Sequence, residues 1–71
     1  MTFWEVVQEE LDARGWSQME LVRRSGLQQS YVNRGLVPSR SFVPSIDKAV
    51  MIARAFDLPL QYFVDRMEVR S

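Results

Sequence analysis

Residues 15–34 read GWSQMELVRRSGLQQSYVNR, and this stretch decides the fold. Ser17, followed three residues later by a glutamate, is typical of a helix N-terminus because each side chain can bond the backbone N–H of the other residue. A short helix is therefore predicted from about Gln18 to Arg24. Gly26 ends this helix, because glycine adopts a positive φ without steric cost.

A second short helix is predicted directly after this glycine. We expect it to begin at Gln28 or Gln29 and to hold Tyr31 and Val32 against the core. Glycine, proline and serine then cluster in residues 35–44. Because these residue types favour turns over helix, the cluster predicts a loop.

Three more helices complete the prediction of an all-α, five-helix fold in a single domain over residues 1–71. The first ends at Gly15, and its apolar side chains recur at helical spacing; they are Phe3, Val6, Val7 and Leu11. The fourth opens at Pro44-Ser45 and carries an apolar stripe of Ile46, Ala49, Val50, Ala53 and Phe56. Pro59 suits the first turn of the fifth, whose apolar face is Leu60, Phe63, Val64 and Met67.

The composition argues against most catalytic chemistry. The chain contains neither cysteine nor histidine. Disulfides, most zinc sites and the Ser-His and Cys-His nucleophile systems need one or both of these residues. Glu5, Glu9 and Asp12 lie near one helical face, where a solvated surface is the expected role. We therefore expect no enzyme activity, no cofactor and no metal site.

Charge is unevenly distributed along the chain although the net charge is zero. Five acidic residues face one arginine in residues 1–20, and six basic residues face one aspartate in residues 21–54. Eight of the nine basic residues are arginine, which suits bidentate contacts with phosphate and guanine. A basic middle segment favours an anionic partner, with a solvated surface as the alternative.

No uninterrupted apolar run approaches the roughly 18–20 residues that a membrane-spanning helix needs. An apolar stretch typical of a signal peptide is also missing near the N-terminus, because Glu5 interrupts the first apolar residues. The sequence therefore predicts a cytoplasmic protein with no membrane association.

Two helices joined by a tight glycine turn form the layout of a helix-turn-helix, here at about residues 17–34. The stretch quoted above resembles the Xre/Cro-type helix-turn-helix family, the lambda-repressor-like domains. The segment PSIDKAVMIARAFDLPLQYFV at 44–64 is similar to that family's fourth and fifth helices. The family usually continues its third helix further, whereas this chain reads GLVP at 35–38, so we expect that helix to end about a turn early.

The resemblance implies a recognition helix after the glycine turn, inserted into the major groove of double-stranded DNA. Amide side chains pair with adenine and arginine pairs with guanine, so the expected base contacts are Gln28, Gln29, Ser30, Asn33 and Arg34. A polar start to an ordinary helix is the alternative. The resemblance also implies phosphate contacts at the start of the second helix and in the loop before the fourth, from Ser17, Gln18, Ser39, Arg40 and Ser41.

Three assignments stay open at the level of the sequence. Arg23 and Arg24 either contact the DNA backbone or form ion pairs with the acidic first helix. The apolar residues of loop 36–43 either fold onto the core or contact a protein partner. Trp4 and one side of the fifth helix lie either in the core or in a dimer interface.

The sequence predicts a sequence-specific DNA-binding transcriptional regulator, a repressor of bacterial or phage type. We expect a homodimer that inserts one recognition helix into each of two major grooves about 34 Å apart and excludes polymerase. The C-terminal helix is the expected interface, because Tyr62, Met67 and Val69 exceed what a small core can absorb. The alternative is a protein-interaction module that keeps the fold without reading DNA; the zero net charge and the apolar loop 36–43 favour it.

Overall fold

The computed structural model describes residues 1–40 and 42–67 and contains five α-helices there. They are α1 (Phe3–Arg14), α2 (Gln18–Ser25), α3 (Gln29–Leu36), α4 (Ile46–Ala55) and α5 (Leu60–Arg66), with a 3-10 turn at Pro38–Arg40. No residue in the described ranges forms a strand, so the all-α, five-helix prediction is confirmed. None of these helices is long and apolar enough to cross a bilayer.

Hydrogen bonds at the helix starts explain where α1 and α2 begin. The Thr2 hydroxyl accepts from the Glu5 N–H at 3.1 Å, and the Glu5 carboxylate accepts from the Thr2 N–H at 2.8 Å. Ser17 caps α2 as predicted, accepting from the Glu20 N–H at 3.2 Å. The reciprocal bond predicted for Glu20 does not form, because its carboxylate pairs instead with two arginines of the same helix.

Glycine ends both of these helices in the left-handed conformation. The φ angle is 67° at Gly15 and 79° at Gly26. Side chains with a Cβ rarely adopt these angles, so glycine is the residue type that suits both positions. The tight turn between α2 and α3 therefore forms where the sequence predicts it.

The third helix extends further than predicted, through Gly35 to Leu36. Gly35 is buried, and a Cβ built on it would lie 2.2 Å from Cε2 of the Trp4 indole. The predicted start of the loop at Gly35 is therefore wrong by two residues, because this glycine lies inside the helix and allows close packing between α1 and α3. The helix ends just before Pro38, which lacks an N–H and restricts the residue that precedes it.

All five helices contribute to one core. Its most completely buried side chains are Val6, Val7, Leu11, Leu21, Val32, Ile52 and Phe63. Aromatic rings surround them, with Phe63 stacked on Phe3 at 5.3 Å and Phe56 stacked on Trp16 at 5.3 Å between centroids. This packing fixes α3 against α1 and α2 and leaves one face of α3 exposed.

The buried face of α4 is rotated relative to the predicted one. The helix buries Ala49, Ile52 and Ala53, and its C-cap residue Phe56 is buried with them. Ile46, by contrast, is 74% exposed. At about 100° per residue, Ile46 lies about 70° from the centre of the buried face and Val50 about 110°. The apolar pattern fits two faces, and packing against α2 and α5 selects one of them.

The start and the apolar face of α5 also differ from the prediction in detail. Pro59 is the N-cap residue and precedes the helix, whereas the sequence predicts it inside the first turn. Phe63 is buried, but Val64 is 37% exposed. The helix therefore rests on the core through a narrower face than its sequence predicts.

A polar cluster joins α1 to α5. Glu10 is only 7% exposed, and its carboxylate accepts from the Tyr62 hydroxyl at 2.6 Å and from Arg14 at 2.5 Å. Arg66 Nη1 lies 3.6 Å from the same carboxylate. Burial alone raises the pKa of Glu10, but the hydrogen bonds from Tyr62 and Arg14 outweigh it and hold the pKa below its usual value.

The residues proposed for a dimer interface are largely used within the chain. Trp4 is 2% exposed and packs against Tyr31 and Phe42, so of its two alternatives the core is confirmed. Tyr62 and Met67 also pack against the core, which absorbs them. Val69 lies outside the described residues.

Candidate nucleic-acid interface

The outer face of α3 is polar. All the residues predicted to contact bases are exposed, namely Gln28, Gln29, Ser30, Asn33 and Arg34. On the inner face Val32 is completely buried and Tyr31 is half-buried, as predicted. The exposed face therefore carries amide, hydroxyl and guanidinium groups, the side-chain chemistry that reads base edges.

The start of α2 lies beside the middle of α3. The Asn33 side-chain amide donates to the Gln18 side-chain oxygen at 3.5 Å across the two helices. Ser17 is exposed next to this contact. Because a helix N-terminus presents N–H groups and partial positive charge, an anion is favoured there, one side chain away from the α3 outer face.

A shallow groove joins α3 to the 3-10 turn. Ser30, Asn33 and Arg34 line one side, and Ser39 and Arg40 line the other. The fold therefore brings residues predicted to contact bases and residues predicted to contact phosphates onto one surface. Ser41, also predicted to contact phosphate, lies outside the described residues.

Four cations form no ion pair with the described part of the chain. They are Arg34, Arg40, Lys48 and Arg54, whereas Arg14, Arg23, Arg24 and Arg66 pair with carboxylates. Lys48 lines a second cleft together with Gln28, at the start of α3. The sequence does not single out Lys48 as a DNA contact, because its position within the basic segment 21–54 is the only signal for it. Positive charge is thus left at both ends of the α3 outer face.

The arginines of α2 form ion pairs within their own helix and not with α1. Arg23 and Arg24 both pair with Glu20 of their own helix, the latter at 2.5 Å. The Arg24 guanidinium also lies 4.2 Å from the centroid of the Trp16 ring. The hydrogen bond from Arg24 lowers the pKa of Glu20. The predicted ion pairs with α1 are therefore wrong, because a carboxylate one turn away is nearer.

The apolar loop divides between the core and the surface. Leu36 and Phe42 pack against the core, and the Phe42 ring also contacts Tyr31 at 5.2 Å. Val43 is 84% exposed. The core alternative therefore holds for Leu36 and Phe42, and Phe42 lies directly beside Arg34 of α3.

The acidic residues of α1 have local partners. Glu5 belongs to the helix cap, Glu9 pairs with Arg66, and Asp12 accepts from the Gln8 amide at 3.0 Å. This matches the solvated surface expected for them.

Comparison of the chain with protein-family models, with curated proteins and with solved structures gave no match.

Proposed function

We propose that this chain is a lambda-repressor-like helix-turn-helix domain of the Xre/Cro type that binds double-stranded DNA sequence-specifically and represses transcription. In this proposal α3 enters the major groove and reads bases through its outer face. The start of α2 and the 3-10 turn hold the phosphates on either side. The chain acts by occupying its site and excluding polymerase.

The groove between α3 and the 3-10 turn carries the proposal. It combines amide and guanidinium groups of Asn33 and Arg34 with the second exposed cation, Arg40. Base-reading groups flanked by phosphate-binding groups are what a DNA-reading surface requires, because phosphate contacts set the register in which bases are read. The Asn33–Gln18 contact adds a helix N-terminus to the same surface.

A homodimer completes the proposal. One α3 offers few base contacts, too few to distinguish one site among the many competing sites of a genome. A two-fold axis doubles these contacts, and closed two-fold dimers are the commonest assembly. The two copies read half-sites of opposite orientation.

Selection of bound sequences from a random pool of double-stranded DNA tests the proposal. We expect an enriched motif with two inverted half-sites whose centres lie about 10 base pairs apart. The Gln29→Ala/Asn33→Ala double variant should lose enrichment, while Gln61→Ala, an exposed substitution on α5, should keep it. Equal enrichment by all three proteins, or none by the unsubstituted chain, contradicts the proposal.

A protein-interaction module is the second candidate function. Two apolar side chains close in sequence favour it, Val43 at 84% exposure and Ile46 at 74%. Exposed apolar residues on a small domain suit contact with another protein. A random DNA pool without an enriched motif would support this candidate.

A further inference from the structure

The ring of Phe42 lies against the Arg34 side chain. The guanidinium carbon of Arg34 is 5.0 Å from the centroid of the Phe42 ring and 6.0 Å from that of Tyr31. Phe42 is itself held by other rings, at 5.2 Å from Tyr31 and 5.7 Å from the buried Trp4. The Phe42 ring beside the Arg34 guanidinium is therefore packed against the core.

Arg34 has no carboxylate partner among the described residues, although its side chain is exposed. An arginine cation over an aromatic face is attracted by the negative face of the ring. A stacked guanidinium keeps its N–H donors in the plane of the group, where they remain able to bond a further acceptor. Arg40 lines the same groove but stacks on no described ring, so it provides an internal comparison.

We propose that Phe42 is a positioning residue that holds the Arg34 guanidinium in place to read one guanine in the major groove. The inference rests on the proposed function and identifies the base that this position selects. Guanine presents O6 and N7 as adjacent acceptors, which match two parallel N–H groups of arginine. A guanidinium held before binding loses less freedom when it binds, so its preference for guanine is stronger.

The free protein provides the first test. Nuclear magnetic relaxation of the arginine Nε–H groups should show Arg34 more ordered than Arg40. The Phe42→Leu substitution should make the two arginines similar, and Phe42→Tyr should keep the difference. Equal mobility of Arg34 and Arg40 in the unsubstituted protein would overturn the proposal.

Binding to DNA provides the second test. The Arg34→Ala substitution first identifies the position at which guanine preference is lost. At that position Phe42→Leu should lower the preference for guanine about two- to fivefold, and Phe42→Tyr should retain it. In the Arg34→Ala background Phe42→Leu should cause no further change, because its effect passes through Arg34.

Four outcomes of the DNA-binding test overturn the role of Phe42. An equal loss of affinity for all sequences in Phe42→Leu would assign it a structural role only, as would a further loss of affinity when Phe42→Leu is added to Arg34→Ala. If the unsubstituted chain selects a motif that shows no guanine preference at that position, the role of Phe42 also fails, but DNA binding remains intact. If the chain selects no motif at all, the proposed function fails and the role of Phe42 fails with it.

Because Phe42 also packs against Trp4, thermal unfolding of Phe42→Leu is measured first. If this variant is unfolded at the assay temperature, the comparison of Arg34 with Arg40 in the unsubstituted protein decides.

Discussion

At Gly35 the absence of a side chain sets how closely α1 and α3 approach. The nearest atoms to a Cβ at this position would be ring carbons of Trp4, at 2.2 to 2.5 Å. The ring has little room to move, because Phe3, Tyr31 and Phe42 pack around it. The contact explains why a residue that usually weakens a helix lies inside this one.

We expect Gly35→Ala to destabilise the protein by about 1–2 kcal/mol. Overpacking costs about 1–3 kcal/mol, and the better helix propensity of alanine offsets up to about 1 kcal/mol of this. Urea unfolding measures the difference, with Ser30→Ala on the exposed face of the same helix as the control. A variant as stable as the original chain would show that the overpacking against Trp4 costs no more than alanine gains in helix propensity, contrary to the prediction.

Gln29 and Arg40 should respond differently to substitution by alanine. Gln29→Ala should cost about 1–3 kcal/mol at one base position and relax the preference there, because an amide that pairs with a base is lost. Arg40→Ala should weaken binding about equally on all sequences, because phosphate contacts carry no sequence information. Affinities for a panel of single-base variants of the selected site distinguish the two patterns. An unchanged motif in Gln29→Ala would show that this residue does not read a base.

At the scale of elements, the polar cluster of Glu10, Tyr62, Arg14 and Arg66 ties α5 to α1. We expect Tyr62→Phe to reduce stability at neutral pH by about 1.5–3 kcal/mol, since it removes a hydrogen bond to a buried charged group. Tyr31→Phe is the control, because its hydroxyl bonds to no carboxylate among the described residues.

The cost of Tyr62→Phe should depend on pH. In the folded chain the pKa of Glu10 is lowered below its ordinary value of 4.5, so the stability that this carboxylate contributes is present above that value. The contribution is lost as pH falls through the lowered pKa. The stability difference between Tyr62→Phe and the original chain should therefore shrink below about pH 4.5. A difference that stays constant from pH 7 to pH 3 would show that the hydrogen bond does not depend on ionised Glu10.

At the scale of the whole molecule, the charges divide into a paired set and an unpaired set. Carboxylates of α1 and α2 pair with Arg14, Arg23, Arg24 and Arg66, while the cations around α3 lack such partners in the described residues. A chain with zero net charge can therefore still present a basic face.

Binding to DNA should weaken steeply with salt. Each phosphate that an arginine or lysine neutralises contributes about −0.9 to the slope of the logarithm of the binding constant against the logarithm of the salt concentration, so we expect a clearly negative slope. Arg40→Ala should make the slope less steep by about 1 per chain, and Arg40→Lys should restore it because the charge returns. A flat response to salt would favour the protein-interaction module.

Sedimentation with DNA should show two chains on a palindromic site and one on an isolated half-site. A charged substitution in the expected C-terminal interface, such as Met67→Asp, would not test this cleanly, because Met67 packs against the core and its substitution also affects folding. Comparing full-site with half-site DNA needs no substitution. A single chain bound to the full site would contradict the dimer and leave DNA binding intact.

Local chemistry was enough to predict the helices and the turn between α2 and α3. The Ser17 cap and the glycine stops at Gly15 and Gly26 act within one helical turn, so they can be read without knowing the rest of the fold. The outward position of Gln29 and its polar neighbours was predictable for the same reason, because Tyr31 and Val32 occupy the inner face of one short helix.

Contacts between distant parts of the chain decided the remainder. Gly35 lies inside a helix because Trp4, 31 residues earlier, packs against it. The rotation of α4 follows from its two neighbouring helices, and Tyr62 is satisfied by Glu10 from the other end of the chain. The contact of the Arg34 guanidinium with the Phe42 ring likewise needs the loop to fold back onto α3. Spacing within one segment cannot encode these pairings, because each depends on which surfaces the packed helices bring together.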